Sequence, residues 1–485
     1  MQGENGSKLE MITYLYIDGF KAFREFEIYL TPLTVVAGTN ASGKSNLFDA
    51  LHFLSSLSQG KSLSEVMNGK RGEGDELFTQ FHDGTRATEM TFKADLLLNR
   101  HFRDEFKQEG VLGVTRLRYE LTISRREEKI GEWRFAITNE VLRPILLKDD
   151  VWLASLPTKV QGKLRPVQPK QQRKSFIETK QSDGRLIAEI LLEYNEKASK
   201  KQKSPEIRKT INFDDAQRTL LSRYQDIDYL HIIAARQEIT RWMFMHLSPE
   251  VMRTPSNKTD RSSWIMPNGG NLASAVNALR LEDDYLIRVL ERRINQLLPN
   301  FIGVDVADDK ENNQLILRLK DVNGRWYSSR VLSEGTLRII TLCVMLIDGK
   351  HRGVLCFEEP ENGVHPQRIN DIARVLSELS SNLSDSDTLQ QIIVNTHSPL
   401  FIQSISKITD KWTSVYLSRM VASAITVSDG RRVKLYKTKM IPAETINGTE
   451  VKEYSVQDKR MTAREMADYL LTAQNYEESV LIKEE

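Results

Sequence analysis

Short apolar runs and amphipathic stretches alternate near the N-terminus. Met11 to Ile17, Phe26 to Leu30 and Leu33 to Ala37 are compact and apolar enough to predict strands. Ser45 to Leu57 carries its leucines at helical spacing, so it predicts a helix with one apolar face. A glycine-containing loop, Gly38 to Ser45, joins the third strand to this helix. The order strand, loop, helix is typical of an α/β fold.

The same alternation returns in the C-terminal third of the chain. Gly335 to Ile347 predicts an apolar helix, and Val354 to Phe357 and Gln391 to Val394 predict buried strands. Strands that alternate with helices favour a largely parallel sheet. The other predicted elements are strands at Glu89 to Leu98, Val114 to Ile123, Trp133 to Glu140, Val415 to Val421 and Arg432 to Lys437, a hairpin of Leu315 to Leu319 with Trp326 to Val331 around Asn323-Gly324, helices at Asp215 to Tyr229 and Leu272 to Leu297, and a final helix, Ala463 to Ala473, opened by a capping box of Thr462 and Glu465.

The composition changes between Pro144 and Asp214. Six lysines and arginines from Lys159 to Lys174 occur without an acid and among prolines, and a second basic run spans Lys197 to Lys203. We interpret this region as an inserted, partly flexible segment, and we find no sustained heptads that would predict a long coiled coil. The predicted division is therefore residues 1–140, an inserted helical and basic segment at 141–300, and residues 301–485.

Bulk composition adds few constraints. The chain has 485 residues, 40% hydrophobic residues and a formal net charge of +2, which is too small to indicate a nucleic-acid partner by itself. Cys343 and Cys356 lie in apolar runs, so we expect buried, reduced thiols. The polar start, Met1 to Glu10, predicts no secretory signal, and no stretch approaches the roughly 20 apolar residues of a membrane span. We expect a cytoplasmic protein without a membrane partner.

Gly38 to Ser45 matches the phosphate-loop pattern Gly-x-x-x-x-Gly-Lys-Ser in full. Glycines let successive N–H groups point at phosphate oxygens, and the following helix adds its positive N-terminal end. The pattern predicts that Lys44 neutralises the β- and γ-phosphates and takes part in catalysis, and that Ser45 binds Mg²⁺. The residues expected to contact nucleotide here are Gly38, Asn40, Ser42, Gly43, Lys44, Ser45 and Asn46.

Two adjacent carboxylates, Glu358 and Glu359, end the predicted strand that begins at Val354. In an ATPase site, Glu358 would hold Mg²⁺ directly or through water, and Glu359 would act as general base or orient the attacking water. Paired acids at a strand end also occur in solvated turns. Glu358 is one methylene longer than the aspartate more often found there.

Ser333 and Gly335 lie at the start of the predicted apolar helix. A plain helix cap explains the serine, because Ser333 can satisfy backbone N–H groups. A serine and backbone amides at a helix start also form an anion site, here for a γ-phosphate. Since the phosphate loop already surrounds the nucleotide of its own protomer, this second anion site is most useful in trans, in a dimer closed over two nucleotides.

His397 follows another buried strand, within Asn395-Thr396-His397-Ser398-Pro399. A lone histidine is more often structural than functional. Its place after the strand that follows the paired acids favours a contact to the γ-phosphate. We therefore include His397 among the catalytic residues.

Together these motifs resemble the ABC-type ATPase heads of the RecF/SMC/OLD group, and most closely the AAA-21/AAA-15 class of bacteria. The resemblance implies an α/β fold, an ABC-type P-loop ATPase head with a mixed or parallel sheet flanked by helices, here with an inserted α+β segment. It also implies ATP and Mg²⁺ as ligands. The residues that carry it are Val36 to Leu47 with Ala50-Leu51, Leu332 to Arg338, Phe357 to Pro366 and Thr396 to Pro399, with Leu247 to Arg253 and Gly269 to Leu272 as further similar segments.

The resemblance implies a head that dimerises on ATP, as a sandwich dimer or a higher homo-oligomer, with Glu361 to Val364 near the partner. It also implies an adenine-side contact from the stretch around Lys21, for which a solvated loop charge is an equally good explanation. Gln80 is the candidate for the glutamine loop of the family.

Members of this class include the ATPase subunits of the Septu and PARIS anti-phage systems. The segment after Pro399 is short for the TOPRIM nuclease domain of OLD proteins, and a polar loop explains Asp385 and Asp387. The eight histidines show no HNH or zinc spacing. We therefore hypothesise a sensor or scaffold ATPase that controls a separate effector, a nuclease or a toxin.

Three alternatives remain open from the sequence. A RecF-like DNA repair or maintenance ATPase would use Lys159 to Lys174 for phosphate contacts, although a mobile solvated loop also explains that segment. A scaffold that binds ATP and hydrolyses it slowly is the second. A cytosolic transporter subunit is weaker, because Ser45 and Ser333 are far apart in the chain.

Overall fold

The computed structural model describes residues 10–68, 74–103, 108–129, 132–171, 173–193, 207–258, 264–349, 353–381, 383, 389–408, 412–426, 430, 432–443, 461–462 and 464–472. The strands are β1 Met11–Asp18, β2 Phe26–Tyr29, β3 Leu33–Ala37, β4 Glu89–Leu97, β5 His101–Arg103, β6 Glu109–Val111, β7 Arg116–Lys129, β8 Glu132–Pro144, β9 Ile177–Ser182, β10 Arg185–Leu191, β11 Arg208–Asn212, β12 Met243–Met245, β13 Ser256–Asn257, β14 Phe301–Asp309, β15 Gln314–Asp321, β16 Trp326–Ser328, β17 Gly353–Glu358, β18 Gln390–Thr396, β19 Thr413–Thr426 and β20 Arg432–Pro442. The helices are α1 Lys44–Ser58, α2 Leu63–Asn68, α3 Val151–Ser155, α4 Thr158–Leu164, α5 Leu220–Arg223, α6 Leu230–Thr240, α7 Pro249–Arg253, α8 Leu272–Glu282, α9 Asp284–Leu297, α10 Glu334–Asp348, α11 Pro366–Leu379 and α12 Pro399–Ser406.

One sheet is largely parallel and joins β3, near the N-terminus, to strands from the C-terminal part of the chain. Its strand order is β12-β17-β18-β3-β19-β20, and only the β19–β20 pair is antiparallel. β3 and β17 are buried almost throughout, as expected for strands covered on both faces. The predicted parallel α/β sheet is confirmed.

A second sheet is antiparallel, with the order β11-β10-β9-β8-β7-β4-β1-β2. Its outer strands β9, β10 and β11 lie in the region predicted to be an inserted, partly flexible segment. Ile177, Ala188 and Ile190 are fully buried there, because alternate residues of these strands face the core. These three strands extend the sheet, and the expectation of partial flexibility for the whole region stays a prediction.

Helix α1 packs between the two sheets. Its leucines, including Leu47, Leu51 and Leu54, share one core with Val36 and Cys356 of the parallel sheet and with the antiparallel strands. Helices α8 to α12 cover the opposite face of the parallel sheet in a second core. Each buried leucine contributes about 1.5–3 kcal/mol by the transfer of its side chain from water. The parallel sheet is therefore covered on both faces, by helix α1 on one side and by helices α8 to α12 on the other.

Two helix predictions need correction. Asp215 to Tyr229 was expected to be one helix, but only Leu220–Arg223 is α-helical, and helix α6 begins after it at Leu230. Leu272 to Leu297 is broken at Asp283, whose side chain accepts a hydrogen bond from the Tyr285 N–H and caps α9.

Several local predictions are confirmed. Strands β15 and β16 pair across the Asn323-Gly324 turn. The capping box forms, since Thr462 N–H donates to Glu465 and Glu465 N–H donates to Thr462 Oγ1, and residues 464–472 are helical. Cys343 and Cys356 are free, buried thiols, and burial raises the pKa of both.

The chain around the basic segment Lys159 to Lys174 is held by its apolar side chains, which pack into a small core. Trp152, Leu153 and Val160 form a small core with Leu389 and Trp412, while the lysines and arginines of α4 and the following loop face outward. Lys197 to Lys203, Asp385 and Asp387 lie outside the described residues.

The three-part division remains a prediction. Strand β8 runs across residue 140, and β12, from the 141–300 segment, belongs to the parallel sheet. In the part of the chain that the structure describes, no helix is both long and apolar enough to span a membrane.

Candidate active site

The carboxyl ends of the parallel strands meet at one edge of the sheet. Glu358 of β17 is in register with Asn395 of β18, and Asn395 is in register with Val36 of β3. Residues that follow these strands therefore lie side by side. Such edges are where open α/β sheets bind ligands.

The phosphate loop curls over the end of β3. Ala41 and Gly43 have positive φ angles of 58° and 90°. A Cβ atom on Gly43 would lie 1.9 Å from Thr438 Oγ1 of β20, so this position admits only glycine. Ser418 Oγ of β19 donates to the carbonyl of Ser42 at 2.9 Å. Strands β19 and β20 thus brace the loop from one side.

The ammonium of Lys44 lies inside the loop. Its Nζ donates to the carbonyls of Gly38 and Thr39, both at 2.7 Å, and the side chain is buried. A phosphate group could take over these hydrogen bonds, because it is a stronger acceptor than a neutral carbonyl. The geometry fits the predicted role of Lys44.

Ser45 and Glu358 come together across the site. Ser45 Oγ donates to Glu358 Oε1 at 3.1 Å, and Asn395 Nδ2 donates to Ser45 Oγ at 3.3 Å. Asn395 Oδ1 and Ser42 Oγ are buried and have no hydrogen-bond partner among the described residues. The oxygen donors suit Mg²⁺, which binds one or two protein oxygens together with phosphate oxygens. Within the described residues, no three His, Cys, Asp or Glu side chains form a metal site of their own.

Glu359 pairs with His397. His397 Nδ1 lies 2.9 Å from Glu359 Oε1, and the Glu359 N–H donates to the carbonyl of Asn395. This hydrogen bond with His397 lowers the pKa of Glu359, with the positive charges of His397 and Lys44 adding to the effect. The same bond raises the pKa of His397 against the opposing effect of burial. Glu359 is therefore ionised at neutral pH, the form in which a carboxylate can act as a general base.

Glu361 lies behind the pair as a buried carboxyl. It accepts a hydrogen bond from Thr396 Oγ1, and burial raises its pKa. The residues after Glu361 lie against the start of helix α10, which we call the serine motif (Ser333 to Thr336). A Cβ atom on Gly363 would lie 2.3 Å from the carboxyl carbon of Glu334. The loop after the paired acids thus packs against the start of α10.

Ser333 caps helix α10. Its Oγ accepts a hydrogen bond from the Thr336 N–H at 3.3 Å and lies 2.8 Å from Thr336 Oγ1. The side chain is exposed, and Gly335 packs on Val364 rather than on the phosphate loop. The cap explanation is correct, and the predicted contact of Ser333 to a nucleotide stays a prediction.

The remaining predicted residues show no contact that assigns them a role in nucleotide binding among the described residues. Lys21 Nζ pairs with Asp49 of α1 at 2.5 Å. Asn40 is exposed at the top of the loop, and the Asn46 N–H donates to the carbonyl of Gly43. Gln80 is exposed and forms a backbone bridge with Arg86. The adenine-side role of Lys21 and the glutamine-loop role of Gln80 stay predictions.

Three residues were missed by sequence reasoning. Asn395 lies in a quoted motif but was given no role, Arg253 hydrogen-bonds the residue before Ser333, and His246 follows β12 beside Glu358. Each had a local signal: Asn395 begins the His397 motif, Arg253 ends a segment similar to the family, and His246 directly follows the short apolar run Met243 to Met245.

Two family models match the chain. The AAA-15 model, described as "AAA ATPase domain", matches residues 11–239. The AAA-21 model, described as "AAA domain, putative AbiEii toxin, Type IV TA system", matches residues 252–403. A comparison with curated proteins finds no match.

Solved structures of SMC heads are similar at low identity. The SMC head domain from Thermotoga maritima is 12% identical, with 90% of this chain and 100% of that chain covered and a TM-score of 0.35. The Smc head domain from Pyrococcus furiosus, with an extended coiled coil and bound to the C-terminal domain of ScpA, is 10% identical, with 88% and 96% covered and a TM-score of 0.40. A head with joint and coiled coil from Pyrococcus yayanosii is 11% identical, with 96% and 100% covered and a TM-score of 0.41. These scores are too low to carry an argument about this chain.

The family matches divide the motifs between them in chain order. The AAA-15 match contains the phosphate loop, and the AAA-21 match contains Ser333, the paired acids and His397. Together with the α/β fold and the convergence of these residues at one sheet edge, the two matches, over residues 11–239 and 252–403, show that the chain belongs to the AAA-15/AAA-21 class of ATPases.

Proposed function

We propose that this chain is a Mg²⁺-dependent ATPase that dimerises head to head on ATP and controls a separate effector in a bacterial anti-phage defence system. One observation carries the proposal. Lys44, Ser45, Glu358, Glu359 and His397 meet at the end of the parallel sheet, while Ser333 caps a helix with its side chain exposed.

The residues have distinct roles in the proposed reaction. Lys44 exchanges the carbonyls of Gly38 and Thr39 for phosphate oxygens. Ser45 and Glu358 would hold Mg²⁺, which would neutralise charge on the phosphates. Glu359 accepts a hydrogen bond from the attacking water, and His397 holds Glu359 in place and donates to the γ-phosphate.

The separation of the two anion sites within one chain supports the proposed dimer. Glu334 and Gly335, next to Ser333, contact the Glu361 to Val364 loop of their own chain, and the phosphate loop lies on strands β19 and β20 instead. In a head-to-head dimer, the start of α10 of one protomer would face the nucleotide of the other, where its N–H groups add positive potential. The loop from Glu361 to Val364 would then lie near the partner.

The effector that the ATPase would control is a nuclease or a toxin. The description of the AAA-21 model names a putative AbiEii toxin and a Type IV TA system, which supports a role in a toxin-linked defence system. That the effector, a nuclease or toxin, is a separate chain is our proposal. The proposal places the protein in the cytoplasm, where ATP is available.

A mixing experiment tests the shared site. Lys44→Ala disables the phosphate loop, and Ser333→Arg blocks the serine motif, so each variant alone should lack ATPase activity. A mixed dimer contains one site with an intact lysine from one chain and an intact serine from the other. We expect activity to return on mixing, and a double variant mixed with either single variant should stay inactive. Full activity of Ser333→Arg alone would contradict a nucleotide site shared by two protomers.

A RecF-like DNA function is the second candidate, favoured by the exposed cations of the basic segment. Lys159, Arg165, Lys170, Arg173 and Lys174 all face solvent. If they bind DNA phosphates, affinity should fall steeply with salt, and neutralising them should flatten that dependence. DNA binding that is weak at all salt concentrations leaves the defence proposal as the better one.

A further inference from the structure

A polar cleft lies at the end of helix α1 that is far from the phosphate loop. It has a volume of about 730 Å³ and is bordered by Gln59 and Gly60, which follow α1, by the end of strand β11 and by helix α5. We call it the α1–α5 cleft. Since α1 has 15 residues, its last residue lies roughly 22 Å from Lys44, its first. The cleft is therefore separate from the nucleotide site at the sheet edge.

Hydrogen bonds fix the walls of the α1–α5 cleft. Thr219 Oγ1 donates to the carbonyl of Leu57, in the last turn of α1, at 3.3 Å. The N–H groups of Leu220 and Leu221 donate to the buried carboxyl group of Glu140 at 2.6 Å and 2.8 Å. The start of α5 is thus tied both to α1 and to strand β8, so the cleft is preformed.

Two arginines line the cleft without an anionic partner. Among the described residues, neither Arg218 nor Arg223 forms a hydrogen bond or an ion pair, and both side chains are exposed. Hydrogen bonds from Ser62 lower the pKa of Glu65, and the positive charge of Arg218 adds to that effect. Glu65 is nevertheless bonded to Ser62 Oγ, at 2.7 Å, rather than to the arginine. Both guanidinium groups can therefore bind an anion.

The rest of the lining is mostly uncharged. Of the described residues that line the cleft, only Asp214 is acidic, and its Oδ1 accepts a hydrogen bond from the Leu186 N–H at 2.9 Å. The amides of Gln59 and Gln225 are exposed in the same cleft. The cleft thus offers two positive charges and neutral hydrogen-bonding groups, against one carboxylate that already has a partner.

This chemistry selects a phosphate ester. Guanidinium groups bind phosphate through paired, charge-assisted hydrogen bonds, and side-chain amides suit the hydroxyl groups of a sugar or the ring nitrogens of a base. The volume falls within the roughly 300–1,000 Å³ of small-molecule sites, and an apolar ligand would leave the polar lining unpaired. We propose that the α1–α5 cleft is a second ligand site, which binds a small phosphate ester, either a nucleotide or a sugar phosphate. This inference goes beyond the proposed function, which does not require such a site.

Calorimetry tests the site. AMP, ribose 5-phosphate and adenosine are titrated separately into the wild-type protein, with an excess of non-hydrolysable ATP analogue and Mg²⁺ to fill the site at Lys44. We expect saturable binding of one phosphate ester per chain, and no binding of adenosine, which lacks a phosphate. Arg218→Gln and Arg223→Gln should each weaken the binding roughly tenfold or more, because a hydrogen bond between charged groups is lost. Arg185→Gln, which changes an exposed arginine of β10, is the control and should match the wild type.

The outcomes bear on the cleft alone. Tighter binding of AMP would identify the ligand as a nucleotide, and equal binding of ribose 5-phosphate would identify a sugar phosphate. The inference is overturned if neither ester binds saturably, if adenosine binds as tightly as AMP, or if Arg185→Gln weakens binding as much as Arg218→Gln. Thermal unfolding checks the fold of each variant, and Arg223→Gln serves if Arg218→Gln is unstable. ATP turnover by the wild-type protein, which tests the proposed function, is measured independently of these results.

Discussion

Arg253 holds the backbone carbonyl of Leu332, the residue before Ser333. Both Nε and Nη2 of the guanidinium lie 3.3 Å from this oxygen, and Ser329 Oγ returns a hydrogen bond to the Arg253 carbonyl at 3.1 Å. Arg253 ends helix α7, which follows His246. The short segment between them therefore joins the nucleotide site of a protomer to the serine that we propose it offers to its partner.

Arg253→Ala should weaken ATP-dependent dimerisation without changing ATP binding to one protomer. A hydrogen bond from a charged group contributes about 1.5–3 kcal/mol, so we expect a roughly 10- to 100-fold weaker dimer. Sedimentation with a non-hydrolysable ATP analogue measures this. The control is Arg374→Ala, which removes a half-exposed arginine of α11. Equal dimerisation of the two variants would show that Arg253 does not position Ser333.

Glu359→Gln should abolish turnover and preserve ATP binding. The amide cannot accept the proton that the carboxylate takes, and general bases contribute about 10²–10⁴-fold to rate. The ATP-bound dimer should then persist on size-exclusion chromatography after removal of free ATP. Glu311→Gln, a change of an exposed glutamate, should behave as the wild type. Turnover within tenfold of the wild type would remove Glu359 from its proposed role.

His397 should titrate above its ordinary value of 6.5. The raised pKa of His397 means that its pairing with Glu359 stabilises the fold below pH 6.5 and is lost as pH rises through the folded-state value. The lowered pKa of Glu359 means that the pair is also lost as pH falls well below 4.5. Histidine NMR checks this, with His397→Gln used to assign the resonance. In Glu359→Gln the pKa of His397 should fall, and an unchanged value would contradict the pairing.

Gly363→Ala should disrupt the contact between the acid loop and the serine motif. Gly363 has a φ of 69°, and the new Cβ would press on the Glu334 carboxyl, which pairs with Arg338. We expect weaker ATP-dependent dimerisation with ATP binding retained. Gly184→Ala is the matched control, because Gly184 has a φ of 76° but open space around it. The control should cost only the backbone strain of about 1 kcal/mol. Equal dimerisation of the two variants would show that the contact between Gly363 and Glu334 does not position Ser333 for the dimer.

Glu238→Gln should change how stability depends on pH. Glu238 is buried beside Trp242, and burial raises its pKa from 4.5 to about 8. The folded state then binds a proton that the unfolded state has released, so wild-type stability should fall as pH rises from 4.5 to 8. The neutral amide removes this contribution. Thermal unfolding at pH 5.5 and 8 should show a smaller loss for the variant than for Glu311→Gln, and parallel losses would contradict the buried acid.

The parallel sheet and the phosphate loop could be predicted because their signals are local. Gly38 to Ser45 needs only its own glycines, lysine and serine to curl around a phosphate, and the buried strands are continuous apolar runs. Glu358 and His397 could be brought into one site because parallel strands end at the same edge. The catalytic roles assigned to them remain predictions that the experiments above test.

Contacts that arise when distant strands pair could not be predicted from local sequence signals. β12 has three residues, too few for a period, and His246 reaches Glu358 only because β12 lies beside β17. Asp215 to Tyr229 has helical spacing, but Thr219 caps a helix that ends after one turn at Arg223. Tertiary packing overrides local periodicity at such places.

Strand β3 shows a consequence for synthesis of the protein. All of its residues are buried, and both its neighbours, β18 and β19, follow it only from Gln390 onward, far downstream in the chain. The ribosome therefore releases β3 long before either neighbour exists, and the nascent chain presents an unpaired apolar edge that chaperones must shield. A nonsense mutation before Thr396 would consequently yield an aggregation-prone fragment rather than a shortened ATPase.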